Sequence, residues 1–145
     1  MTTTSTQPAT AAHRAALWTL FICDAALLVA SGLIHLHLWD IAYRDVPTLR
    51  ILFLIQVAGT ILMAIVLLIT RHLLVVLASL ALMAGTIVGF VLADTVGIFG
   101  FKIPVTTTLA VEVLIVEIVG VILLAITGAL MWKSDGRPAL PGRRA

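Results

Sequence analysis

The feature that most constrains this chain is a series of four apolar runs, each long enough to cross a bilayer, with almost nothing between them. A hydrocarbon core of about 30 Å takes about 20 apolar residues in helical form. Runs of that kind cover residues 17–39, 49–70, 73–93 and 105–132. They use nearly the whole of the 145 residues and leave no length for a soluble domain. Charged residues make up only 11% of the chain, against the roughly 25% usual in soluble domains. The expected fold is all-α: an antiparallel bundle of four transmembrane helices occupying residues 15–132, with a disordered tail over 1–14 and a flexible basic tail over 133–145.

Orientation follows from Lys and Arg, which accumulate on the cytoplasmic side of short loops. Arg14, Arg71, Lys133, Arg137, Arg143 and Arg144 fall on one side, and Arg44, Arg50 and Lys102 on the other. Both termini are therefore expected in the cytoplasm. Trp18 and Trp132 then belong to one interfacial belt and Trp39, Tyr43 and Phe101 to the other. "TRH" at 70–72 is short enough to force a hairpin between the second and third runs. The first run continues past its small residues into "LIHLHLW" and carries Asp24, which argues for an uncleaved helix rather than a signal peptide.

Several function classes are excluded or disfavoured. The single cysteine, Cys23, lies inside an apolar run, so no scheme requiring paired thiols applies. The net charge of +2 resides at helix ends and in the tail, where a membrane surface accounts for it and nucleic acid does not. No nucleophile elbow or phosphate-cradling loop is present. "GIFGFK" at 97–102 lacks the Lys-Ser/Thr ending of a phosphate loop and is expected as a tight turn capping the outer face. No enzymatic activity and no cofactor are expected.

Ionisable residues within the spans carry the functional signal, because each costs about 2.5–3.5 kcal/mol on insertion scales. Asp24, Ser31 and His35 are separated by seven and four residues, which places them on one stripe of the first helix. Gln56 belongs to a comparable stripe on the second. Glu112 and Glu117 lie five apart, about 140° in azimuth, so one is expected inward and the other outward. These six residues form the candidate polar site, either as hydrogen bonds that hold helices in register or as a pathway or ligand site. His35 and His37 point to opposite sides of a helix and could share a metal only if it unwound near Trp39, so no metal site is assigned to them.

On the third helix Ala81, Gly85, Gly89 and Ala93 place a small residue at every fourth position. Such a face lets another backbone approach closely. A partner within the same bundle is favoured over a second copy or another protein.

The segments "SGLIHLHLW", "LFLIQ", "GIFGFK" and "VEVLIVE" resemble those of a group of small four-helix integral membrane proteins of actinobacteria. No activity is attached to that group, so the resemblance implies a bacterial inner-membrane setting and no residue roles. Small multidrug transporters offer a second comparison, but their essential glutamate is in the first helix, where this chain has Asp24. The leading expectation is an accessory or assembly subunit of a larger membrane complex, with a membrane protein partner or a homo-oligomer. A small proton- or cation-coupled transporter is the alternative, followed by a lipid, quinone or haem binding protein.

Overall fold

In the computed structural model, which describes residues 7–97 and 108–135, the order is α1 (Gln7–Leu38), a π-helical turn (Trp39–Tyr43), α2 (Pro47–Thr70), α3 (Leu73–Thr95) and α4 (Thr108–Asp135). All four helices are long and apolar enough to cross a membrane, which makes this a multi-pass membrane protein by length and composition.

The boundaries of α2 and α3 lie within two residues of the sequence expectation, and the larger differences are in α1 and α4. α1 begins at Gln7, inside the segment expected as a disordered tail. Pro8 falls in its first turn, where a missing N–H costs nothing, and the alanines that follow are the strongest helix formers. At its other end the helix does not stop at Trp39 but widens by one residue per turn through Tyr43. No proline or glycine lies between Trp39 and Val46 to stop it sooner, and Val46 is extended (φ −98°, ψ 105°), as suits the residue preceding a proline. α4 runs on to Asp135, beyond the expected start of the basic tail. Residues 105–107, the 98–102 part of "GIFGFK" and residues 136–145 lie outside the described residues, and Phe101, Lys102, Arg137, Arg143 and Arg144 with them.

The α2–α3 connection is two residues long. Arg71 takes the left-handed conformation (φ 48°) and its N–H bonds Leu67 O at 2.9 Å, closing the last turn of α2. His72 is extended, and its Nδ1 accepts from the Leu74 N–H at 3.3 Å, capping α3. The Arg71 guanidinium lies 4.4 Å from the centroid of the Trp18 ring, tying this hairpin to α1.

The helices form a ring: α1 packs on α2 and α4, α3 packs on α4, and the α2–α3 seam is the least extensive of the four. Apolar burial gives little drive between helices in lipid, so close approach has to supply contact. Glycines mark the tight places. A Cβ on Gly32 would meet Thr60 Oγ1 at 2.7 Å, and one on Gly120 would meet Met83 at 2.5 Å. Around these contacts Phe21, Leu28, Leu67, Val76, Met83 and Leu124 build a dry core in the half of the bundle that holds the α2–α3 hairpin.

The other half is not filled. At Gly85 and Gly89 nothing among the described residues lies within 4 Å of where a Cβ would be. The expected close helix contact along Ala81, Gly85, Gly89 and Ala93 is therefore not made among the described residues at the two glycines; Ala93 is buried and Ala81 exposed. Small residues permit a close approach without compelling it, and here the slack α2–α3 seam leaves a cavity against that face.

Candidate functional site

The cavity has a volume of about 430 Å³ and draws on all four helices. One wall is the small-residue face of α3. The facing side carries an aromatic group: the Phe53 ring stacks on Tyr43 at 4.6 Å between centroids and meets His35 at 5.6 Å, tilted by 48°. The π-helical turn is what places Tyr43 there, since it carries α1 beyond the membrane run and over the first turns of α2. Leu52, Ile55, Ala81 and Gly85 line the cavity and are also exposed, so it opens sideways between α2 and α3.

Its polar groups come from α1, α2 and α4. Glu117 is 1% exposed. Its Oε1 accepts from Ser31 Oγ at 2.5 Å, and its Oε2 is buried with no hydrogen-bond partner. His35 Nδ1 is 2.8 Å from the Ser31 carbonyl oxygen. A carbonyl only accepts, so this contact assigns the proton to Nδ1 and leaves Nε2 as the acceptor nitrogen of the neutral ring. Gln56 lines the cavity from α2, and its Nε2, also buried, has no partner. Buried polar atoms without partners are uncommon in folded proteins. Two of them on residues that line one cavity mark it as more than a packing fault.

A second polar layer lies farther along the bundle. Thr127 Oγ1 donates to Asp24 Oδ2 at 2.7 Å and sits 3.0 Å from the Leu123 carbonyl, so one hydroxyl proton is shared between two acceptors. Asp24 Oδ1 and Ser79 Oγ are buried and unpartnered. Asp24 is seven residues from Ser31 on α1, about 10 Å along the axis, within the dry half of the bundle.

Of the six residues singled out from sequence, Ser31, His35, Gln56 and Glu117 meet at or behind the cavity, and Asp24 lies in the second layer. Glu112 does not join them: it is exposed on the outer side of α4, as the angular separation of the two glutamates requires. His37 is exposed whereas His35 is buried, and α1 does not unwind between them, so the pair shares no site. No group of three or more His, Cys, Asp or Glu able to hold a metal occurs among the described residues. Among the described residues the Lys and Arg side chains are exposed, and the ion pairs of Arg44 with Asp40 (3.5 Å) and with Asp45 (3.9 Å) lie at the surface.

Sequence reasoning missed Thr127, Ser79 and the Tyr43–Phe53 stack. Thr127 had a usable signal: Ala110, Val113, Glu117, Gly120, Leu124 and Thr127 alternate spacings of three and four, the inward stripe of one helix, and all are buried. Compared with models of protein families, with curated proteins and with solved structures, the chain matches none.

Proposed function

We propose that this chain is a non-enzymatic, multi-pass protein of a bacterial cytoplasmic membrane that binds a lipid-soluble molecule with a polar head. Its helices run antiparallel with both termini in the cytoplasm, as the Lys and Arg distribution and the actinobacterial resemblance lead one to expect. The observation that carries the reading is the sideways-opening cavity with Glu117 in its lining and the Oε2 of that residue buried without a partner. Ligand sites of helical bundles have this composition: apolar walls, volumes of roughly 300–1,000 Å³ and a few convergent polar groups. An opening bounded by Leu52 and Ile55 suits a ligand arriving from lipid rather than from water.

The test is extraction. Protein purified in mild detergent or in nanodiscs is stripped with organic solvent and the extract analysed by mass spectrometry, alongside a Gly85→Phe variant whose side chain fills the cavity. A lipophilic compound enriched with the wild type and lost from the variant is expected. Identical extracts from the two would overturn the reading.

Association with another membrane protein, the accessory-subunit reading, has one observation in its favour. Glu112 lies exposed on α4 four residues in from Thr108, about 6 Å along the axis, where a protein neighbour would offer it a better environment than acyl chains do. Chemical crosslinking from a Glu112→Cys variant in a Cys23→Ser background tests it: a crosslinked second protein is expected, and monomer alone excludes a contact at that face.

A further inference from the structure

The ligand class can be narrowed from the shape and polarity of the cavity, an inference that rests on the binding role proposed above. The α3 wall carries no side chain at Gly85 and Gly89, and no described atom lies within 4 Å of a Cβ built at either. Against it stands the aromatic surface of Phe53, itself stacked on Tyr43. A flat backbone wall facing an aromatic side accommodates a planar ring better than a branched head group, since rings stack on such surfaces in offset or edge-on geometry.

The polar inventory then sets the ring's substituents. The cavity is lined by His35, whose Nε2 is left as the acceptor by the Nδ1 contact with the Ser31 carbonyl, and by Glu117, whose buried Oε2 has no partner and accepts when the carboxyl is ionised. It offers one unpartnered amide donor, Gln56 Nε2. A phosphate or carboxylate head carries only acceptor oxygens and would confront the Glu117 carboxyl. A ring bearing two hydroxyls supplies a donor to each acceptor and can still accept from Gln56. Glu117 lies nine residues into α4 from Thr108, about 14 Å, so such a ring would sit well below the headgroups with its tail leaving between Leu52 and Ile55.

We propose that the cavity binds the reduced, dihydroxylated form of a membrane quinone, a quinol, in preference to the oxidised form. The preference has a direct origin. A quinone has only carbonyl acceptors and leaves His35 Nε2 and an ionised Glu117 Oε2 unsatisfied, whereas a quinol donates to both.

The experiment uses the full chain in nanodiscs and a short-tailed benzoquinone with a decyl chain, kept either oxidised or reduced under argon. Binding is read by equilibrium titration, with dodecanoate as a comparison amphiphile. Saturable binding of the quinol at least tenfold tighter than the quinone is expected. Glu117→Gln keeps an oxygen for Ser31 but replaces the second acceptor by a donor, so it should erase the preference by weakening the quinol and sparing the quinone. Gly85→Phe should abolish both. A merely structural Glu117 would change the two affinities equally, and that result overturns the proposal. Tighter binding of dodecanoate than of either ring form overturns the quinol assignment and leaves the binding role standing. Failure of all three probes to bind, together with an empty solvent extract, overturns both.

Discussion

Ser31 Oγ donates to Glu117 Oε1 across the α1–α4 interface at 2.5 Å, joining residues 86 positions apart in the chain. The bond fixes the carboxyl by one oxygen and turns the other away from its only partner among the described residues. Ser31 serves twice, because its carbonyl also holds the His35 ring through Nδ1 at 2.8 Å. One residue thus orients both Glu117 and His35, by its side chain and by its backbone.

Replacing Ser31 by alanine removes the side-chain half of that arrangement and leaves the backbone half. The expected cost is about 0.6–1.7 kcal/mol, the range for interhelical hydrogen bonds in membrane proteins. Reversible unfolding in mixed micelles of increasing dodecyl sulfate, followed by circular dichroism, measures it. Stability equal to the wild type would mean that the bond contributes nothing to the packing of α1 on α4.

Thr127→Val is nearly isosteric and deletes the hydroxyl that bonds Asp24. Asp24 is fully buried and has no other hydrogen-bond partner among the described residues, so the expected loss is about 1–3 kcal/mol, the penalty for stranding a buried polar group. Combining it with Asp24→Leu should cost less than the sum of the two single changes, because the double variant strands nothing. Strict additivity in the same unfolding assay would show that the two side chains do not interact.

The glycines divide into two sets with opposite expectations. At Gly32 an added methyl would meet Thr60 Oγ1, whose hydroxyl is already bonded to the Gln56 and Val57 carbonyls at 2.9 and 3.1 Å, so Gly32→Ala should cost about 1–3 kcal/mol. Gly85→Ala and Gly89→Ala meet open space and should leave thermal stability unchanged or raise it, since alanine is the better helix former by about 1 kcal/mol. Melting temperatures in one detergent check all three. A drop for Gly85→Ala as large as that for Gly32→Ala would show that the cavity is closed in solution.

Topology has its own test. In a Cys23→Ser background, single cysteines at Asp45 and His72, both exposed in turns, are treated with a membrane-impermeant maleimide on intact cells. Labelling at 45 and protection at 72 is the expected pattern. The reverse pattern would place the termini outside.

The helices were legible because a bilayer demands long apolar runs, and the chain contains little else. The stripe of Asp24, Ser31 and His35 and the opposed azimuths of Glu112 and Glu117 were legible for a related reason: 100° per residue is a property of a single helix and needs no knowledge of neighbours. What the sequence could not convey is how far apart two helices stand. The spacing Ala81, Gly85, Gly89, Ala93 is the same whether the face is pressed against a neighbour or lines a void, and the slackness of the α2–α3 seam is a sum over many side chains. Thr127 stayed inconspicuous because threonine in a membrane helix commonly bonds its own preceding turn, as Thr60, Thr86 and Thr95 do here. The helical continuation through Tyr43 was obscured by its charged neighbours, which read as a loop but are compatible with a helix at headgroup depth.

If the cavity takes a ligand as proposed, the placement of its opening between Leu52, Ile55, Ala81 and Gly85 determines what competes for it. A ligand reaching it never leaves the hydrocarbon phase, so occupancy depends on its mole fraction among the surrounding lipids, not on its aqueous concentration. Acyl chains, present in vast excess, are the standing competitors, and they can fill the void but cannot satisfy Glu117. Selectivity would then reside almost wholly in a few hydrogen bonds formed in a medium of low polarity. Altering the lipid composition of the host membrane would retune the protein without touching a residue of it.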